Sequence, residues 1–405
     1  MYIKRHIVDA INRNLEQFKV VLVTGARQVG KTTLLKQELS KDFEYTTLEN
    51  PFNYDLAISD SMLFFKQHDL PLIIDEVQRV PELFSAVKFQ VDESEKKGQV
   101  VLTGSQTYSL MKGVSESLAG RIAIMEMSGL SVRELNGIEN KLERFVPHEL
   151  ETDKSNKLPA YEDLWKIIQR GQMPELQASS VDWDTFWSSY VSTYIERDVR
   201  DLTKIKDERK FFNFLVACAA RTAQIFNATE IANEIDVDYK TVQEWISILQ
   251  ASGIVRLIYP LWGNVSKRLT KSPKLVFLDT GLVCYLTRWT DYEQASTGAT
   301  SGRLFETFVI SEIFKSYYNA GRNTKDIWFY RDSSKCEIDL VVQDGRTLHP
   351  IEIKKTANPK IEAAKHFDCL RAFKDFEIGF GNIICHVDRP QYLSQNVQAI
   401  SVMDI

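Results

Sequence analysis

Val20-Val21-Leu22-Val23-Thr24-Gly25-Ala26-Arg27-Gln28-Val29-Gly30-Lys31-Thr32-Thr33 decides how the first third of the chain is read. A β-branched run ends at a glycine, and a helical pattern starts after Gly30, so the stretch reads as strand, turn and helix. From Gly25 to Thr32 the turn matches G-x-x-x-x-G-K-[ST] at every fixed position. Glycines there let successive backbone N–H groups curl around a phosphate, and the positive end of the helix adds to them. Gly25, Ala26, Arg27, Gln28, Val29, Gly30, Lys31, Thr32 and Thr33 are expected to line a nucleotide. Lys31 would reach its terminal phosphates, and the Thr32 hydroxyl would ligate Mg²⁺. A chance glycine turn is the bland alternative, and the correct flanks on both sides weigh against it.

Downstream, Leu70 and Leu72-Ile73-Ile74 run into Asp75-Glu76. A buried parallel strand delivers such acids to the carboxyl edge of a sheet, where ligands bind. Asp75 is expected to hold Mg²⁺ and Glu76 to polarise an attacking water. The next strand ends at Leu102-Thr103-Gly104-Ser105, where a small hydroxyl, Ser105 or Thr103, would sense the γ-phosphate. Hydrolysis also calls for an arginine. Arg121 and Arg197 are the candidates, each weighed against an ordinary salt bridge. A strand between the two motifs fits the additional-strand class of phosphate-loop ATPases, so ATP hydrolysis is the expected activity.

Working outward, strands near 43–48, 70–74, 100–102 and 122–127 alternate with helical patterns, which predicts a parallel sheet covered on both faces. The chain has 405 residues, enough for two to four domains. Apolar residues at 44% and charged residues at 26% exclude disorder and low-complexity classes. No run reaches the ~18 apolar residues of a membrane span, and the first residues carry no signal-peptide core. Five scattered cysteines argue against a disulfide framework and point to a reducing cytoplasm. With 50 basic against 55 acidic residues, a nucleic-acid partner must be held by a local patch.

Thr229 to Ile235 reads as a short helix capped by Asn227 or Thr229. A second helix carries Val242, Trp245, Ile246 and Leu249 on one face and stops at Gly253, and a strand follows over 254–261. That order is a winged helix-turn-helix. Asp236, Asp238 and Glu244 face only Lys240, a poor surface for phosphates. Lys267, Arg268, Lys271 and Lys274 fall within eight residues without an acid. They are the candidate nucleic-acid contacts, set against a plain solvated loop. The polar stretch 141–158 is expected to be a surface insertion.

The last region holds Glu306 in a helical pattern, then strands at 328–330, 337–342 and 350–355, then a helix over 361–373. Alternation in a strand puts Glu352 and Lys354 on one face while Ile351 and Ile353 point inward, and Asp339 alternates likewise. Strand carboxylates meeting at one face repel unless a hard cation such as Mg²⁺ lies between them. Lys354 would then orient water or stabilise developing charge, and Glu306 would add an outer ligand. This is the D…E-x-K spacing of restriction-endonuclease-like nucleases, a spacing also common on exposed strands.

Taken together, the chain resembles bacterial and archaeal AAA-family ATPases fused to a C-terminal domain of unknown function. The motifs that carry the resemblance are 25–32, 72–76, 102–105, 118–121, 196–199, 271–274 and 277–282, with Glu306, Asp339 and Glu352-Ile353-Lys354. The resemblance implies an α/β phosphate-loop AAA-like domain over 1–130, a helical lid and linker over 131–205, a winged helix over 206–290 and a PD-(D/E)xK nuclease-like domain over 291–405. It implies ATP and Mg²⁺ as cofactors, DNA as partner, no membrane, and a homo-oligomer as one option. The expected function is an ATP-driven machine acting on DNA with a Mg²⁺-dependent nuclease-like tail. The rivals are a nucleotide-dependent switch that binds a partner without cleavage and a protein-remodelling ATPase.

Overall fold

The computed structural model describes the chain apart from residues 1, 106–113, 115–116, 153–159, 196–206, 262–271, 333 and 335, and apart from the side chains of 194 and 195. Strands β1 (Val20–Gly25), β2 (Glu44–Thr47), β3 (Leu72–Asp75), β4 (Val100–Ser105) and β5 (Ile122–Glu126) form one parallel sheet in the order β2-β3-β4-β1-β5. β4 is thus inserted between the strand that leads into the glycine turn and the strand that ends in Asp75. Val21, Val23, Ile73 and Val101 belong to one apolar cluster, and Val20, Leu22, Ile74 and Leu102 to another. Alternate residues therefore feed two cores, as in a sheet buried on both faces. The helical stretch at 51–66 is two helices, because Asp60 ends the first and accepts hydrogen bonds from Met62 N and Leu63 N to cap the second.

The middle of the chain is helical. The helix Ala228–Glu234 is capped by Asn227, and Tyr239–Ala251 is capped by Asp238. They are followed by β7 (Val255–Ile258) and β8 (Lys274–Phe277), which with the short β6 (Gln224–Ile225) form a three-stranded antiparallel sheet. Lys210 pairs with Asp236 at 2.9 Å. Two of the three acids on this face, Asp236 and Asp238, thus have local structural partners.

The helix Ser301–Asn319 is the spine of the second half, buried along most of its length and packed against the first helix Ile7–Gln17, β8 and a strand of the last sheet. Phe305, Phe308 and Tyr317 are each fully buried, worth about 1.5–3 kcal/mol apiece. The last sheet has the order β14-β15-β13-β11-β10-β9. In it β9 (Ile327–Arg331), β10 (Glu337–Asp344) and β11 (Thr347–Ile353) are antiparallel, and β13 (Gly381–Ile384) and β15 (Val397–Ile400) run parallel to β11. β12 (Glu377–Ile378) and β14 (Gln391–Ser394) are short edge pieces. The helix expected over 361–373 consists of two 3₁₀ segments, Ile361–Ala364 and Phe367–Ala372.

Two expectations are corrected. Residues 141–150 are not a surface insertion but a strap across the C-terminal sheet. Phe145 is buried and its N–H donates to Ser316 Oγ, while Leu150 exchanges both backbone bonds with the Gln398 side chain at 2.9 Å. The cysteines are not all free, since Cys336 and Cys369 form a disulfide. Their separation of 33 positions hid a pairing that exists because the 3₁₀ segments fold back over the start of β10.

Candidate functional site

β1 runs directly into the glycine turn. Gly25 has φ +152°, and a Cβ there would run into the Met127 carbonyl oxygen; Gly30 has φ +94°. Both fixed glycines are therefore steric necessities. The helix Lys31–Glu38 starts at the turn, so its free N–H groups and positive end face the loop. Lys31 is buried and folds back, donating to the carbonyls of Gly25 (3.0 Å) and Ala26 (2.8 Å).

Strand β3 brings Asp75 beside this helix. Thr32 Oγ1 and Tyr45 Oη both donate to Asp75 Oδ2, at 2.8 and 2.7 Å. Burial, together with this bond to a carboxylate, pushes the Tyr45 phenol up. Asp75 Oδ1 is buried with no hydrogen-bond partner among the described residues. A bare buried carboxylate oxygen is costly, and a hard cation held by Asp75 and the Thr32 hydroxyl removes that cost. The residues fit Mg²⁺. Glu76 occupies the left-handed region at φ +60°, where burial raises its carboxyl and the Gln78 amide holds it. Such backbone in a non-glycine residue is a feature of functional sites. The pairing of Gly25 with Ser105 places Ser105, buried, beside the loop. Thr103 is buried one turn of pleat earlier.

Arg121 is not part of this cluster. It precedes β5 at the amino edge of the parallel strands, where its guanidinium pairs with Asp92 at 2.7 Å. The turn lies at the other edge, five residue steps or roughly 16 Å along β1. An arginine before a parallel strand falls on the wrong side for the nucleotide of its own chain, a signal already present in its position. Arg197 lies outside the described residues.

A second cluster forms in the last sheet. Leu340 pairs with Ile351, which sets Asp339 opposite Glu352. Asp339 Oδ2 accepts from Ile353 N at 2.8 Å. Lys354 Nζ lies 2.6 Å from Glu352 Oε1 and 4.0 Å from Asp339 Oδ2. Glu352 Oε2 is buried with no hydrogen-bond partner among the described residues. Burial, then the charge of Asp339, pushes Glu352 up to about 7 against the pull of Lys354. Like charges directly opposite on a sheet destabilise it. A cation between Asp339 and Glu352 relieves that repulsion, so this pair also fits Mg²⁺. Glu306 faces the same cluster from the spine helix, but its carboxylate is engaged by Lys274 Nζ at 2.7 Å.

Lys274 corrects the proposed nucleic-acid patch. It is the first residue of β8, 1% exposed, and its Nζ reaches the Asp339 carbonyl oxygen at 3.3 Å as well as Glu306. A charge that sits on a strand of Leu275, Val276 and Phe277, each buried, is better read with the core than with the loop before it. Lys267, Arg268 and Lys271 lie outside the described residues. A cleft of about 1250 Å³, bordered by Arg13, Lys141, Arg144 and Arg322, contains neither cluster.

A sheet in this order, with the glycine turn after β1 and the acid pair after β3, defines a phosphate-loop protein of the AAA type. Residues 17–136 match the family described as an AAA domain, residues 161–293 a domain of unknown function (DUF8612), and residues 301–405 another (DUF4143). The chain joins an AAA-type ATPase domain to a C-terminal domain of unknown function. It is 29% identical over 360 residues to the uncharacterized protein Rv2008c of Mycobacterium tuberculosis and equally to Mb2031c of Mycobacterium bovis, covering 88% of this chain and 75% of each relative. Among solved structures, the Walker-type ATPase PABY2304 of Pyrococcus abyssi aligns with a TM-score of 0.44 at 14% identity, over 70% of this chain and 96% of that one. The RuvB Holliday junction branch migration motor of Thermotoga maritima aligns with a TM-score of 0.29 at 18% identity, over 62% and 88%. No helix among the described residues is long and apolar enough to cross a membrane.

Proposed function

We propose that this chain binds and hydrolyses ATP and uses the cycle to control a Mg²⁺-dependent, nuclease-like C-terminal domain acting on DNA. In this reading residues 131–205 are a lid and linker, 206–290 a winged helix and 291–405 a PD-(D/E)xK nuclease-like domain. The observation that carries it is the pair of orphaned carboxylate oxygens, Asp75 Oδ1 and Glu352 Oε2, each buried beside groups suited to phosphate chemistry.

At the first site the loop amides and Lys31 bind the β- and γ-phosphates, with Lys31 giving up its contacts to the loop carbonyls. Thr32 and Asp75 hold Mg²⁺, which neutralises developing phosphate charge when bound. Glu76 orients and deprotonates the attacking water, and Ser105 contacts the transferring phosphate. At the second site Asp339 and Glu352 hold the cation and Lys354 orients the water that attacks a phosphodiester. Lys267, Arg268 and Lys271 remain the DNA contacts of this reading. The rival is a nucleotide-dependent switch that binds a partner without cleavage; the exposed Asp236, which pairs with Lys210, and Asp238, which caps the following helix, lie on the acidic face that favours it.

ATP turnover by the purified chain, abolished in Lys31→Ala, tests the first half. Nicking of plasmid or single-stranded DNA that needs Mg²⁺ or Mn²⁺ and disappears in Asp339→Ala tests the second. Wild-type protein that leaves every nucleic acid intact under those conditions defeats the nuclease reading.

A further inference from the structure

Lys274 comes from a different sheet than Asp339, whose carbonyl oxygen it reaches, and than Glu352. β8 pairs with β6 and β7, whereas Asp339 and Glu352 sit on β10 and β11. Its stem passes the Phe329 ring, with Nζ 5.7 Å from the centroid, and its ammonium ends between Glu306 Oε1 and the Asp339 carbonyl. The side chain of Glu306 is 16% exposed and that of Lys274 2%. The contact is therefore internal to the cluster and is not a surface ion pair.

Three acids (Glu306, Asp339, Glu352) and two lysines (Lys274, Lys354) give the cluster a net formal charge of −1, and the further acid at its edge, Glu337, is offset by Arg331 at 3.9 Å. One divalent cation brings it to a single positive charge, and a second would load the same space with two more. The ammonium of Lys274 fills the space between Glu306 Oε1 and the Asp339 carbonyl oxygen, so a second cation bound to Glu306 would have to displace it. The orphaned oxygen belongs to Glu352, which is 9% exposed and whose other oxygen is held by Lys354 and not by Lys274.

We propose that Lys274 is a built-in substitute for a second cation. The C-terminal cluster then takes one divalent ion, on Asp339 and Glu352, while Glu306 is permanently neutralised and is not a ligand. Lys274 is a positioning residue in this scheme. It holds the Asp339 backbone and ties the cluster to the sheet of β6, β7 and β8, so a shift of that sheet acts directly on the ligand strand. The inference rests on the nuclease-like reading of the cluster and adds its ion count.

The test counts Mn²⁺ bound by the full-length, nucleotide-free chain, by electron paramagnetic resonance and calorimetry. An Asp75→Asn background removes the acid of the phosphate loop from the count. The parent binds one ion, and Asp339→Asn weakens it by about tenfold or more. Lys274→Met exposes Glu306 and admits a second ion. The double variant K274M/E306Q replaces a buried ion pair by neutral groups of similar volume, a change proteins tolerate, and returns to one ion. It decides the matter if Lys274→Met alone does not fold, as judged by circular dichroism. Two ions in the parent, a single ion in folded Lys274→Met, or tenfold weakening in the double variant overturns the proposal. One ion without any DNA nicking defeats the nuclease reading and leaves the ion count standing; nicking by a two-ion parent does the reverse. No ion in the parent defeats both.

Discussion

Arg5 and Val29 are joined by a 2.8 Å hydrogen bond from the guanidinium Nη1 to the carbonyl oxygen just before the second fixed glycine. The same buried guanidinium donates to Ser128 O at 2.7 Å and pairs through Nε with Glu134 at 3.2 Å. One side chain near the amino terminus thus pins the phosphate loop to the segment that follows β5. Arg5→Met leaves Glu134 buried without its counter-charge and is expected to cost about 3–5 kcal/mol. Adding Glu134→Leu should recover a large part of that loss. Urea unfolding of the two single variants and the double closes the cycle, and an additive double would show that the pair is not coupled.

The same pair sets an acid limit. Burial pushes the Glu134 carboxyl up, but Arg5 and the amides of Ser131 and His6 pull it further down, so its folded value lies below the ordinary one. A depressed acid stabilises the fold above its unfolded pKa of about 4.3, and that stability is lost as the pH falls through the folded value. The advantage of wild type over Glu134→Gln should be full at pH 6 and shrink steadily below about pH 4.3. Chemical denaturation of both proteins across that range measures it. An advantage that is flat down to the folded state's acid limit would contradict the assignment.

Much of this was open to inspection in the chain. The turn at Gly25–Thr32, the apolar run into Asp75-Glu76 and the Glu352-Ile353-Lys354 alternation are local patterns, and local patterns survive folding because strand and helix periods impose them. The order of β4 between β1 and β3 agrees with the additional-strand class that the two motifs suggested. What stayed hidden is contact at a distance. Arg5 reads as a surface charge until the 123 positions to Ser128 are closed. Lys274 reads as one more cation in a basic loop, although the buried strand behind it carries it inward. Arg121 is the exception, since its place before a parallel strand already put it at the far edge. The Cys336–Cys369 pairing and the strap 141–150 needed the C-terminal sheet itself before either had a meaning.

Reduction of the disulfide gives a third measurable loss. A closed loop of 33 positions removes denatured-state freedom worth about 3–4 kcal/mol in the chain-entropy picture. Dithiothreitol should lower the unfolding midpoint of wild type, and Cys336→Ser should show the lower midpoint with or without reductant. The absence of any difference between oxidised and reduced wild type would rule out a stabilising role for the bond.

Glu352 titrates in the opposite sense to Glu134. Burial and the neighbouring Asp339 raise its folded value to about 7, above the unfolded value, so the metal-free fold binds that proton more tightly than the unfolded chain does. The sign follows directly: metal-free stability is greatest near and below pH 4.3, falls as the pH rises towards 7, and above 7 carries the whole cost of the ionised carboxylate. Glu352→Gln removes that cost. In EDTA it should therefore stabilise the chain at pH 8 by on the order of 1–3 kcal/mol, while at pH 4.5 the two proteins should unfold together. Lys354, left without its partner, is 43% exposed and finds water instead, so its loss offsets little of the gain. Mn²⁺ added at pH 8 should reverse the order, because the wild-type pair gains a ligand that Glu352→Gln holds less well. Equal stability of the two proteins in EDTA at pH 8 would mean that Glu352 carries no buried, uncompensated charge, and the case for a cation at this pair would lose its physical basis.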